Sequence, residues 1–153
     1  MADGNREALD KNLAGRIVDT ARIRSGKTWA ELAAVIDKPL VWATAALLGQ
    51  HPLTAEDAAA IGAALDLDED VVESLQLQPY RLADPQLATD PTIYRFHEAL
   101  NVYGPAFKAL IHEEFGDGIM SAINFKVDFD RREDPDGDRV VITLDGKFLD
   151  YRW

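Results

Sequence analysis

A chain of 153 residues, 47% of them hydrophobic and none of them cysteine, has room for one domain or two small ones around a buried core. The absence of cysteine excludes a disulfide framework, thiolate metal sites and a cysteine nucleophile. Sixteen Lys and Arg against 27 Asp and Glu leave a formal charge of −11, a surface that repels nucleic acid, anionic membranes and anionic substrates at long range, so any anion site has to be local and carry its own cations.

The N-terminal residues have no apolar run of the signal-peptide kind, and the longest mostly apolar stretch, Leu40 to Gly49, is too short to span a bilayer. A soluble cytoplasmic protein is expected. Short helices follow in order. Leu9, Leu13, Ile17 and Ala21 recur every four residues and predict the buried stripe of a first helix, ended by Gly26. Thr28 and Glu31 have capping-box spacing and open a second helix. Pro39 suits the first turn of a third helix, which Gly49 closes. Thr54 caps a fourth, with Ala58, Ile61 and Leu65 on one face, and Asp68 caps a short fifth reaching Leu75.

Residues 76–90 carry Pro79 and Pro85 with little periodicity and read as a linker between a helical domain at 1–75 and a second domain at 91–153. There, Asp90 and Pro91 form an N-cap and first-turn pair for a helix that Gly104 should stop near Tyr103, and Pro105 should start another, ended by Gly116. From Ile123 the period becomes two: Ile123, Phe125, Val127 and Phe129, then a polar turn over 133–138, then Val140, Ile142 and Leu144. Asp145 and Gly146 predict a further tight turn. The fold class is therefore α+β. Because a lone hairpin is marginal in water, its apolar face is expected to be completed by a second copy of the chain.

The first half is similar to the five-helix, helix-turn-helix domain of phage-type repressors, with 39–48 in the place of the recognition helix. Charge argues against DNA binding. Between Pro39 and Tyr80 there is no Lys or Arg, and residues 1–85 hold 8 basic against 14 acidic residues. A recognition helix needs cations for phosphates and side chains for base edges, and this one offers Trp42, Thr44 and alanines.

Chemistry concentrates after residue 90. Arg95 and Glu98 stand three apart and share a helix face, with Ile93, Phe96, Leu100 and Tyr103 expected to face a core. Spacing leaves a surface ion pair and a working pair equally open, although Arg before Glu is the less favourable order for a helix-stabilising pair. Ser121 follows a Gly-Asp-Gly turn, as a small packing residue or as a hydroxyl beside amides able to hold an anion. His51, His97 and His112 lack metal-ligand spacing, and no phosphate loop or serine-hydrolase elbow is present.

The stretch from Pro91 to Lys147 closely resembles the cyanases (cyanate hydratases, or cyanate lyases). The motifs that carry the resemblance are Tyr-Arg-Phe-His-Glu at 94–98, Val-Tyr-Gly at 102–104, Lys-Ala-Leu-Ile-His-Glu at 108–113, Phe-Gly-Asp-Gly-Ile-Met-Ser-Ala-Ile-Asn-Phe-Lys at 115–126 and Val-Ile-Thr-Leu-Asp-Gly-Lys at 141–147. His97 and the ending Tyr151-Arg152-Trp153 depart from the usual pattern of that family. The resemblance implies an N-terminal helical bundle and a helix-plus-hairpin domain at 91–153 that serves catalysis and interlocks with a second subunit. It implies a homodecamer of five dimers with active sites between dimers. It places the catalytic Arg, Glu and Ser on Arg95, Glu98 and Ser121, and implies bicarbonate-dependent breakdown of cyanate to ammonia and carbon dioxide through a carbamate. Bicarbonate would be a co-substrate, and no metal or organic cofactor, nucleic acid or membrane would be required. The rival readings are a helix-turn-helix regulator and a non-catalytic oligomeric module that binds a small anion.

Overall fold

The computed structural model describes residues 6–152. Among these residues six α-helices, α1 (Lys11–Ser25), α2 (Trp29–Val35), α3 (Leu40–Leu47), α4 (Ala55–Leu65), α5 (Glu69–Leu75) and α6 (Pro91–Phe115), precede two strands, β1 (Gly118–Arg132) and β2 (Arg139–Asp150), with one 3₁₀ turn at Leu87–Thr89. The strands pair as a two-stranded sheet. The α+β class holds. The chain divides into two units, Met1–Arg81 with Asp128–Val141, and Leu82–Val127 with Ile142–Trp153. No helix among the described residues is long and apolar enough to cross a membrane.

In the first unit the helices begin where side chains can satisfy free amides. Asp10 accepts from Leu13 N at 2.9 Å, and Thr54 Oγ1 from Asp57 N at 3.1 Å. The Thr28–Glu31 capping box is complete in both directions. Asp68 occupies the N-cap position of α5, but its side chain makes no capping bond. Pro39 stands one residue before α3 rather than inside its first turn. The core gathers Val18, Leu32, Leu47, Ile61, Val71 and Leu75 around buried alanines of α1, α3 and α4.

The stripe expected on α1 is displaced. Lys11, Ala14, Gly15 and Val18 are the buried residues, whereas Leu9, Ile17 and Ala21 pack at the core's edge and Leu13 is exposed. Spacing by four advances about 40° per step around a 3.6-residue helix, so such a stripe cannot stay on one contact line. The closest approach selects small residues instead: a Cβ on Gly15 would lie 3.0 Å from the backbone C and O of Leu48. Lys11 is buried with a purpose, its Nζ donating to the carbonyls of Ser74 (3.3 Å) and Leu75 (3.1 Å) at the end of α5.

In the second unit the two helices predicted at 91–103 and 105–115 are one helix of 25 residues. Pro105 has no N–H to offer Asn101, a change that costs about 3 kcal/mol inside a helix, yet α6 runs through it. Gly104 supplies the reason, since a residue before proline is kept out of the helical region by its Cβ and N–H, and glycine has no Cβ. No residue of α6 is buried. The core contacts predicted for Ile93, Phe96, Leu100 and Tyr103 are therefore not made within one chain. On the hairpin Ile123 is 97% exposed, whereas Phe125, Val127 and Ile142 are half-buried. Nor is there a turn at Asp145 and Gly146, because β2 continues through both. Phe115, at the end of α6, stacks on Phe148 of β2 with centroids 5.1 Å apart.

Candidate active site

Asp90 starts α6 by accepting the amides of Thr92 (2.9 Å) and Ile93 (3.0 Å), which fixes the first turn. Arg95 and Glu98 fall on the next turn. Arg95 Nη1 donates to Glu98 Oε2 at 3.1 Å, and the Arg95 guanidinium carbon lies 5.7 Å from the centre of the Tyr94 ring. Both side chains of the pair are well exposed. An exposed pair of this kind contributes only about 0–1 kcal/mol to folding. The other N–H groups of Arg95 make no hydrogen bond among the described residues and are available to a planar oxyanion.

Ser121 is in a different setting. It lies near the start of β1, 95% buried, a segment held in part by the amide of Tyr151 donating to Asp117 O at 3.1 Å. Its Oγ accepts from the amides of Ile123 (3.1 Å) and Asn124 (3.0 Å). These two amides are thus taken up by the hydroxyl rather than left open to hold an anion beside it. With both lone pairs engaged, Ser121 keeps one hydrogen-bonding capacity, its own O–H as donor. Two N–H groups donating to the oxygen polarise that O–H further.

Arg95 and Glu98 are brought together, but no hydrogen bond or ion pair joins Ser121 to either among the described residues. His97 follows on α6 and is exposed, and no group of three or more His, Asp or Glu able to hold a metal ion is found among the described residues. The apolar residues near the pair, Phe96, Leu100 and Tyr103, are each about half exposed. Clustered exposed apolar surface of this kind marks an interaction site. Gly146, read from the sequence as a turn, lies instead in β2, where a Cβ on it would fall 2.5 Å from the Ser121 carbonyl oxygen; that closeness has no signal in local patterning, because strand-to-strand approach depends on pairing.

Residues 10–79 match the family described as cyanate hydratase, N-terminal, and residues 85–153 match the cyanate lyase C-terminal domain. The chain belongs to the cyanate lyase family. It is accordingly an enzyme, and the Arg95, Glu98 and Ser121 types stand inside the matched C-terminal domain. It is 58% identical over 134 residues to a cyanate hydratase of Mycolicibacterium vanbaalenii, covering 87% of this chain and 88% of the relative. With the cyanate hydratase of Mycobacterium avium the identity is 53% over 146 residues, 95% and 94% of the two chains. The fold matches a crystal structure of cyanase from T. urticae with a TM-score of 0.81 at 36% identity, covering 90% of this chain and 96% of that one. Since both family domains match, the repressor-like helices are the family's own N-terminal domain.

Proposed function

We propose that the chain decomposes cyanate with bicarbonate to ammonia and carbon dioxide through a carbamate, at sites shared between subunits. The observation that carries this reading is the exposed Arg95–Glu98 pair on a helix none of whose residues is buried in one chain. A helix of 25 residues with Phe96, Leu100, Tyr103 and Phe107 uncovered calls for a partner surface, and the pair would be enclosed when that surface arrives. We take 91–153 as the catalytic and oligomerising part, 1–75 as the helical domain and 76–90 as the linker. The assembly is a homodecamer of five dimers in the cytoplasm.

The chemistry explains the residue types. A bicarbonate oxygen attacks the carbon of cyanate; on taking up one proton at nitrogen the adduct breaks its bond to the bicarbonate carbon and releases carbon dioxide, and the carbamate left behind takes up a second proton from water and yields ammonia and a second carbon dioxide. Two unit charges about 4 Å apart repel by roughly 1 kcal/mol in water and about 4 kcal/mol at an effective dielectric of 20. Enclosure therefore raises the repulsion that cations must cancel. One Arg beside a Glu cannot neutralise two anions, and pooling Arg95 from neighbouring chains can. Arg95 clamps the anions with its planar fork, Ser121 donates its O–H to an oxygen of substrate or adduct, and Glu98 orients Arg95. Holding two small anions in attack geometry supplies much of the rate. The reaction so written needs no metal or organic cofactor.

The test is ammonia release from cyanate by the purified protein, with bicarbonate present and with bicarbonate and dissolved carbon dioxide removed. Release that depends on both anions supports the reading. Cyanate consumption that ignores bicarbonate rejects the two-anion mechanism. A protein that sizes as a monomer while fully active rejects the shared site.

A further inference from the structure

Gly146 of β2 lies against Ser121, and two observations show why no other residue fits there. Its φ is not positive; among the described residues the glycines that use the left-handed region are Gly26, Gly49, Gly116 and Gly137. Backbone torsion therefore does not call for glycine at 146, and space does. A Cβ on Gly146 would lie 2.5 Å from the carbonyl oxygen of Ser121 and 2.4 Å from Cγ of Met120. Carbon–oxygen contacts between strands settle at about 3.3–3.6 Å, so a single methyl group would force a displacement approaching 1 Å. The Met120 side chain can rotate aside. The Ser121 carbonyl cannot, because it is main chain.

The displacement would reach the hydroxyl. Ser121 Oγ is tied to the same short stretch by the amides of Ile123 and Asn124, so the peptide and the O–H move as one body. Gly118 shows a similar close approach, but toward Leu149 O and the ring of Phe148 rather than Ser121. We propose that Gly146 is a positioning residue for Ser121: its missing side chain lets β2 lie against the Ser121 carbonyl and so fixes where the Ser121 O–H points. The inference rests on Ser121 taking part in the reaction.

The experiment compares the assembled full-length enzyme with Gly146→Ala, Ser121→Ala, the Ser121→Ala/Gly146→Ala double variant and Met120→Ala/Gly146→Ala, measuring kcat, KM for both anions, assembly size and thermal unfolding. Gly146→Ala is expected to keep its assembly size and lose about 10- to 100-fold in kcat, with KM changed by less than about two-fold, as a misplacement near 1 Å predicts. On the Ser121→Ala background the same change should add no further loss, because the group it positions is already gone. Removing the Met120 side chain should not restore the rate, since the Ser121 carbonyl contact remains.

Near-normal kcat in Gly146→Ala overturns the proposal, as does a loss that adds in full to that of Ser121→Ala, or rescue by Met120→Ala. If Gly146→Ala fails to assemble, the variant with Met120→Ala is assayed in its place: assembled and slow supports the proposal, assembled and fast overturns it, and failure of both to assemble overturns it by making the glycine a requirement of the hairpin. A fully active Ser121→Ala is a separate result. It removes Ser121 from the reaction whatever Gly146 does.

Discussion

Arg95 Nη1 reaches Glu98 Oε2 at 3.1 Å across one turn of α6, and 67% of the Arg95 side chain remains open to solvent in the single chain. The carboxylate thus holds one edge of the guanidinium and leaves other N–H groups free to meet an anion. Replacing Arg95 by Lys keeps the charge and removes the fork. Arg95→Lys is expected to lose about 100-fold or more in kcat, the size of effect seen when a preorganised donor is removed. Glu98→Gln should lose less, about 10- to 100-fold, because the amide still accepts a hydrogen bond from Arg95 but holds it less firmly. Steady-state ammonia release from both variants checks the order. A Glu98→Gln loss far larger than that of Arg95→Lys would assign proton transfer to Glu98.

Asp90 fixes the turn on which that pair begins. Asp90→Ala removes the acceptor for the amides of Thr92 and Ile93 and should destabilise the start of α6 by about 1 kcal/mol. Hydrogen exchange at Thr92 and Ile93 should quicken, with kcat falling and the first unit unchanged. Asp90→Ser, which restores an N-cap oxygen, should recover most of both.

Charge on the uncovered apolar surface should act on assembly rather than on the first unit's fold. Ile123→Asp places a carboxylate at a side chain that is 97% exposed, and Leu100→Asp one at a side chain that is about half exposed, so each disturbs little packing within one chain. Each is expected to shift size-exclusion elution toward smaller species and to lower activity in step. Fluorescence from Trp29 and Trp42, which pack against the first unit's core, should stay native.

Glu31 gives a dependence on pH with a definite sign. The amide of Thr28 donates to its carboxylate at 2.7 Å, the Thr28 hydroxyl donates as well, and these bonds hold its pKa below the ordinary glutamate value. A carboxylate whose folded pKa is depressed adds stability at pH values above its unfolded pKa, and that stability is lost as pH falls through the folded pKa. The stability difference between the wild type and Glu31→Gln should therefore shrink on acidification below about pH 4, where glutamate ordinarily titrates. Chemical denaturation of both proteins between neutral pH and the acid range measures it.

Much of the fold was legible because its signals are local. Thr28 with Glu31, Thr54 with Asp57, and Asp90 with Thr92 and Ile93 satisfy amides two or three residues on, and residues that close together in sequence reveal the bond. Where the reading failed, a distant surface decided. The four-residue stripe on α1 gave way to Ala14, Gly15 and Val18 because Gly15 meets Leu48, and no pattern within 11–25 encodes that neighbour. Pro105, read as a helix start, is the local exception: Gly104 before it lacks the Cβ that helps keep a residue before proline out of the helix.

By itself the sequence determined the element types, most of the caps and, through the ordered motif at 115–126, the family, and it supplied the residues proposed for the site. Only the tertiary structure decided that α6 is continuous and unburied, that the Ser121 oxygen is filled by two amides, and that Gly146 lies against the Ser121 carbonyl rather than turning the chain. The physical reason is range. A cap or an alternation is settled within a few residues, whereas which backbone approaches which, and how closely, is settled by pairing between segments far apart in the chain.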